Sequence, residues 1–208
     1  MGNIYEGLNK FYIWIYRLMI ANVLWIYFSL NGLLVVGIFP STSALFAICR
    51  KWIRKEDFSV FNTYKYYFKK DFKNANILGY IMLAITVIIY FDYMYFSSIS
   101  AKYSLFLSYL FLFLTVIDLI AFLVMYSIYN HYDMSIKDNV KFALIYPFSN
   151  IMMSLLLMIV FCLVVYFAYT IMPILSIFMG ISSPILLVVL ITNISFNEIT
   201  RKQIRLQY

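Results

Sequence analysis

The chain has 208 residues, of which 64% are hydrophobic and 12% charged, with a formal net charge of +7. A mean hydropathy of +0.87 lies far from the balance of an ordinary soluble domain. Composition therefore excludes a water-soluble globular protein and points to one membrane domain over 1–208 without a separate soluble domain.

Residues 1–17 read as an N-terminal interfacial segment. Met1-Gly2-Asn3-Ile4-Tyr5-Glu6 has no basic leader, so no cleavable signal peptide is expected. Five long apolar runs follow: Leu18 to Phe39, Ile77 to Phe96, Leu105 to Tyr129, Ile151 to Met172 and Pro173 to Phe196. Each reaches or exceeds the roughly 20 residues that an α-helix needs to cross the hydrocarbon core. The expected fold is an all-α, polytopic transmembrane helix bundle with about five crossings.

The basic residues set the expected orientation. Half of the 16 lie between the first two runs: Arg50, Lys51, Arg54, Lys55, Lys65, Lys69, Lys70 and Lys73. Lys102 alone occupies the second connection, Lys137 and Lys141 the third, and Arg201, Lys202 and Arg205 the tail at 197–208. Because Lys and Arg resist translocation, the basic connections belong in the cytoplasm. Five crossings then place the N-terminus outside and the C-terminus inside. Lys10 and Arg17 sit poorly in that scheme, being outside with little acidic compensation. A six-crossing alternative turns the chain at Asn31-Gly32 and brings Leu33 to Cys49 back as a second, short crossing.

Within 41–73, Ser41 to Phe72 reads as a basic amphipathic helical hairpin at the cytoplasmic face. Its first helix is expected after Pro40, with Ser41, Thr42 or Ser43 as cap. It carries Leu45, Phe46, Cys49, Trp52 and Ile53 at helical spacing, and Arg50, Lys51, Arg54 and Lys55 crowd its negative end. Glu56 to Ser59 forms the turn. The second helix has a stripe of Phe61, Tyr64, Phe68 and Phe72, flanked by Lys65, Lys69 and Lys73. Lysines beside anionic head groups are worth about 1 kcal/mol each, so the hairpin suits lipid contact. A docking surface for a protein partner uses the same residues. Basic residues this close to a bilayer are explained by lipid, so nucleic acid is not an expected partner.

Asp118 sits near the middle of the third run. A carboxylate there must face the bundle interior and either pair or take up a proton. With no Lys or Arg well inside another run, its partners are neutral: Asn22, Asn31, Thr86 or a Tyr hydroxyl. It is either a proton- or substrate-handling group or a helix–helix hydrogen-bond post worth about 0.6–2 kcal/mol. Asp92, with Tyr93 and Tyr95, forms a candidate outer-face site where rings stack on a sugar and the carboxylate accepts from its hydroxyls. A solvated Asp in an aromatic belt accounts for the same residues. His131 beside Asp133 is too little for a metal site or a hydrolytic triad. Pro173, Gly180 and Pro184 mark a kinked or broken last helix, a feature of transport sites and of packed bundles alike. Cys49 and Cys162 have no metal or disulfide spacing and read as packing residues. No catalytic residue, cofactor or metal is expected, and the chain is not expected to be an enzyme.

Gly37-Ile38-Phe39-Pro40-Ser41-Thr42-Ser43-Ala44-Leu45-Phe46-Ala47, followed by Arg50-Lys51-Trp52, resembles the first signature of the YesL family of bacterial integral membrane proteins. Phe72-Lys73-Asn74-Ala75-Asn76-Ile77-Leu78-Gly79, then Tyr132-Asp133, Asn139, Ala143-Leu144 and Pro147, are similar to later family segments, and Asn22-Val23-Leu24-Trp25 fits as well. Where the family often has a basic residue before the inner-face aromatic, this chain has Asn130 and His131. The family has no catalytic signature, and its members tend to be encoded beside carbohydrate ABC importers and glycan-degrading enzymes. The resemblance therefore implies a non-enzymatic accessory subunit in the bacterial plasma membrane, bound to the permease subunits of a carbohydrate importer. A different class is a small transporter or channel for sugars or ions, formed as a homo-oligomer, with Asp118 handling charge. A cell-wall polymer assembly factor is a third.

Overall fold

The computed structural model describes residues 2–99, 103–170 and 180–206. Every helix or strand assigned among them is an α-helix: α1 (Gly2–Asn31), α2 (Ile38–Ile53), α3 (Val60–Lys70), α4 (Phe72–Ser98), α5 (Ser104–His131), α6 (Ile136–Ser149), α7 (Ile151–Thr170) and α8 (Ser182–Leu206). Lys102 and Pro173 lie outside the described residues, as do the side chains of Arg201, Lys202 and Arg205.

Among the described residues, three helices are long and apolar enough to cross a bilayer: Tyr5–Asn31, Phe72–Ser98 and Ser104–His131. Their 27 or 28 residues extend about 40 Å at 1.5 Å per residue, more than the ~30 Å hydrocarbon core. A fourth span arises if Ile136–Ser149 and Ile151–Tyr166, bent by 95° at their break, count as one, and Ser182–Asn197 is a shorter apolar helix. Three to four spans among the described residues agree roughly with about five crossings. The first crossing does not cover Leu18 to Phe39 as the hydropathy suggests. α1 begins near the N-terminus, includes the segment read as interfacial, and stops at Asn31.

The described chain divides into two compact units. The first holds residues up to Phe72 and Ile159–Leu190. Here α1 stops at a tight reversal. Leu34 N–H donates to Ser29 O at 2.9 Å, and Ile38 N–H to Leu34 O at 2.9 Å. Leu33 and Leu34 sit at φ 62° and 55°, a left-handed conformation that costs a β-carbon-bearing residue about 1–2 kcal/mol. Two glycines make the reversal possible. A Cβ on Gly32 would lie 2.4 Å from Gly37 Cα, and one on Gly37 would lie 2.4 Å from Ser29 O.

α2 starts at Ile38, before Pro40 rather than after it. Pro is tolerated in a first turn because its missing N–H has no helical acceptor there. Most of α2 is buried, Ala44, Leu45, Ile48 and Cys49 completely. The chain then reverses through Lys55 at φ 58°, and Ser59 occupies the N-cap position of α3 without a side-chain capping bond.

The second unit holds Lys73–Met158 and the residues from Ile191 onward. Tyr126 Oη on α5 donates to Ala75 O on α4 at 2.9 Å. Phe96 and Phe111 stack at 5.4 Å with planes 6° apart. α6 is capped by Ser135, whose Oγ accepts from Asp138 N–H. The ring of Phe196 packs on His131 at 4.6 Å, Tyr132 at 5.3 Å and Tyr146 at 6.1 Å. His131 is thus held between aromatic rings.

Candidate functional site

The basic hairpin is a packed element. Ser41 does not cap α2; its Oγ donates to Trp25 O at 2.9 Å, and Trp25 Nε1 donates to Thr42 Oγ1 at 3.0 Å. Tyr64 Oη on α3 donates to Ser41 O at 2.7 Å and lies 2.8 Å from Ser41 Oγ. One α2 residue therefore ties α1 and α3 together. The aromatic stripe of α3 closes on Phe28 of α1, whose ring lies 5.0 Å from both Tyr64 and Phe68 and 5.9 Å from Phe61. Burial pushes the Tyr64 phenol well above its usual range. Tyr64 and Phe68 are buried while Phe61 stays exposed; Lys65 and Lys69 are exposed, and Lys73 is exposed at the start of α4.

At the far end of α2, Lys51 Nζ and Glu56 Oε2 pair at 2.5 Å. That hydrogen bond raises the Lys51 ammonium and lowers the Glu56 carboxyl. The pair is too exposed to contribute much. Arg54 is exposed, Arg50 half-buried and Trp52 buried. Arg17, reached from α1, places its guanidinium 5.2 Å from the Trp14 ring and 5.7 Å from the Trp52 ring.

Of the three intramembrane polar candidates, Asn22 and Asn31 belong to the first unit and Asp118 to the second. Asn22 is buried in the first unit, where its Oδ1 accepts from Ile181 N–H at 3.3 Å, while Ser182 Oγ donates to Leu18 O at 2.9 Å. Asn31 is exposed and donates to Tyr27 O within its own helix. Asp118 belongs to the second unit, 1% exposed, with Thr86 Oγ1 at 2.5 Å from its Oδ2. Thr86 is one of the neutral partners that the sequence offers it.

Near the α4–α5 turn a cavity of about 440 Å³ is lined by Tyr93, Phe96, Ser97, Ser104, Ser108, Tyr109 and three aliphatic side chains. That volume falls within the range of small-molecule sites, about 300–1,000 Å³. Of the outer-face candidates only Tyr93 lines it. Asp92 is half-exposed, and Tyr95 is exposed with its ring edge on Phe96 at 5.3 Å. Sequence reading missed Ser97, Ser104, Ser108 and Tyr109, although Ser104 and Ser108 share a helical face with Asp118 at compatible spacing. It also missed the role of Arg17. Among the described residues, no three His, Cys, Asp or Glu side chains gather to hold a metal ion.

Residues 18–93 match the family described as "Protein of unknown function, DUF624". The chain is 41% identical over 88 residues to "Uncharacterized protein YesL" of Bacillus subtilis (strain 168), covering 42% of each protein. It is 45% identical over 84 residues to "Uncharacterized protein YteU" of the same organism, covering 40% of this chain and 38% of that protein. With "Uncharacterized protein YesV" it shares 26% over 126 residues, covering 60% and 61%. The matched stretches thus span about two fifths of the length of the first two relatives. No solved structure matches the chain. These matches bear out the YesL-family resemblance, and the family match runs from α1 through the α2–α3 hairpin into α4.

Proposed function

From the DUF624 domain that this chain carries and its kinship with YesL and YteU, we propose that it is a non-enzymatic subunit of the bacterial plasma membrane, accessory to a carbohydrate ABC importer. The observation that supports a docking role is the inward turn of the α3 stripe. Tyr64 and Phe68 are spent on Phe28, so α3 cannot lie on lipid by that face. Its Lys65 and Lys69 side faces outward, where the acidic residues of a partner can pair with it as anionic head groups can. The importer itself comes from the family setting that the resemblance implies.

In this reading the basic hairpin is cytoplasmic, because Lys and Arg resist translocation. The Arg17–Trp52 contact supports placing Lys10 and Arg17 on the same side as Arg50, Lys51 and Arg54. That sets aside an outside N-terminus in favour of the arrangement the six-crossing alternative gives it. α2, with 16 residues, extends about 24 Å, short of the ~30 Å core. It runs back along α1 to the level of Arg17. α2 and the part of α1 beyond Arg17 therefore enter and leave by one face, as a re-entrant pair rather than as two full crossings.

Affinity purification of tagged full-length protein in mild detergent tests this. Importer permease subunits are expected to co-purify, and the K65E/K69E double substitution is expected to reduce their recovery. Recovery of the chain alone, with the importer intact in the same extract, overturns the proposal. A second reading, an oligomeric transporter or channel for sugars or ions, is favoured by the cavity at the α4–α5 turn. Solute flux in liposomes containing only this protein would support it, and a tight membrane would count against it.

A further inference from the structure

Thr86 has one hydroxyl proton and two acceptors within reach. Its Oγ1 lies 3.0 Å from Met82 O and 2.5 Å from Asp118 Oδ2. If Asp118 were ionised, that single proton would have to serve a backbone carbonyl and a carboxylate at once. A carboxylic acid removes the conflict. Asp118 Oδ2–H donates to Thr86 Oγ1, and Thr86 Oγ1–H donates to Met82 O, so two protons serve the three oxygens.

The surroundings favour the neutral form. Asp118 Oδ1 is fully buried and has no hydrogen-bond partner among the described residues, an arrangement far costlier for an anion than for an acid's carbonyl oxygen. α5 carries no Lys or Arg, and the one in α4 is Lys73 in its first turn, so neither helix supplies a cation beside Asp118 in the span. Ionised side chains inside a bilayer are costly without such compensation.

A polar seam leads to the acid. Ser104, Ser108, Thr115 and Asp118 follow one another at spacings of four, seven and three residues, which puts them on one face of α5. Ser108 Oγ donates to Leu105 O, and Thr115 Oγ1 to Phe111 O, each at 2.8 Å. Both hydroxyls keep lone pairs for a passing donor. The seam starts in the cavity that Ser104 and Ser108 line, which ends at Leu112, about 9 Å along the helix from Asp118.

We propose that Asp118 is a proton-binding carboxylic acid inside the membrane, hydrogen-bonded to Thr86 and charged from the α4–α5 cavity along the Ser108–Thr115 seam. On release the proton passes to water in that cavity. Thr86 Oγ1–H then turns from Met82 O to the Asp118 carboxylate. This goes beyond docking to a partner and does not depend on it.

Infrared spectroscopy of the full-length protein in lipid vesicles tests the proposal. At neutral pH the protein should show the C=O band of a protonated carboxyl group. The band should disappear in D118N and shift in T86V, which keeps the acid but removes its partner. Exchange into D2O should move the band more slowly in the S108A/T115V double variant than in the native chain. No band that D118N removes, or one that T86V leaves unmoved, overturns the acid–Thr86 pair. An unchanged exchange rate in S108A/T115V overturns the seam as its route.

Discussion

The guanidinium of Arg17 lies 5.7 Å from the centre of the Trp52 ring, joining the middle of α1 to the last turn of α2. A cation over an indole gains about 0.5–2 kcal/mol, and Trp52 is 5% exposed. Arg17→Gln should therefore lower stability by about that amount, and Trp52→Ala by about 3–5 kcal/mol. Denaturant unfolding in a bilayer-mimicking detergent measures both. A Trp52→Ala effect within experimental error of the native chain would contradict the packed end of α2.

The reversal between α1 and α2 rests on Gly32 and Gly37. A methyl group at either would meet backbone at 2.4 Å, and backbone yields far less readily than a flexible side chain. Gly32→Ala and Gly37→Ala should each destabilise the protein by more than about 2 kcal/mol, in the range of core overpacking. Gly7 is the control. It lies within α1, where a methyl group would have open space for 4 Å around it, so Gly7→Ala should stabilise by about 0.5–1 kcal/mol. Thermal unfolding of the three variants should separate them by sign.

Tyr64 links α3 to Ser41. Tyr64→Phe should cost about 0.5–1.5 kcal/mol at neutral pH. Burial raises the folded phenol above its usual range, while the unfolded phenol ionises near pH 10. Above that pH the unfolded state holds fewer protons than the folded one, so stability falls as pH rises. Below it Tyr64 adds no pH dependence. Unfolding measured from neutral pH to above 10 should fall less steeply in Tyr64→Phe than in the native chain.

The two cysteines should differ in reactivity. Cys49 is completely buried and its thiol is pushed above its usual range by that burial, whereas Cys162 is exposed. A membrane-permeant maleimide should modify Cys49 only on unfolding. Cys162, whose exposed side lies on the apolar α7 helix, should react only slowly in the folded protein because the thiolate is the reactive form. Peptide mass mapping resolves the two.

Much of this architecture was legible in the sequence. Runs of apolar residues long enough to span identified α4 and α5, and the Ser59 turn and the α3 stripe were placed by helical spacing. The end of α1 matches the turn at Asn31-Gly32 of the six-crossing alternative. The five-crossing reading runs past it, because Leu33-Leu34-Val35-Val36 continues the hydropathy of the preceding helix. The left-handed Leu33 and Leu34 and the close approach of Gly32 and Gly37 show that the chain has turned. Ser41 and Thr42 looked like caps because they follow Pro40, yet α2 begins ahead of that proline and their hydroxyls bind neighbouring helices. Thr86 was within the set of neutral partners for Asp118. The cavity serines were invisible as a site, since isolated serines on an apolar helix carry no signal until a second helix covers them.

In the proposed arrangement the N-terminal part of α1 and the α2–α3 turn share the cytoplasmic face, and the docking role depends on that. Single cysteines at Lys10 and Arg54, both exposed, test it in a chain whose Cys49 and Cys162 are replaced by Ala and Ser. A membrane-impermeant thiol reagent should modify neither in intact cells and both after permeabilisation. Labelling of K10C in intact cells while R54C stays protected would contradict the Arg17–Trp52 arrangement, and labelling of both would contradict the cytoplasmic placement.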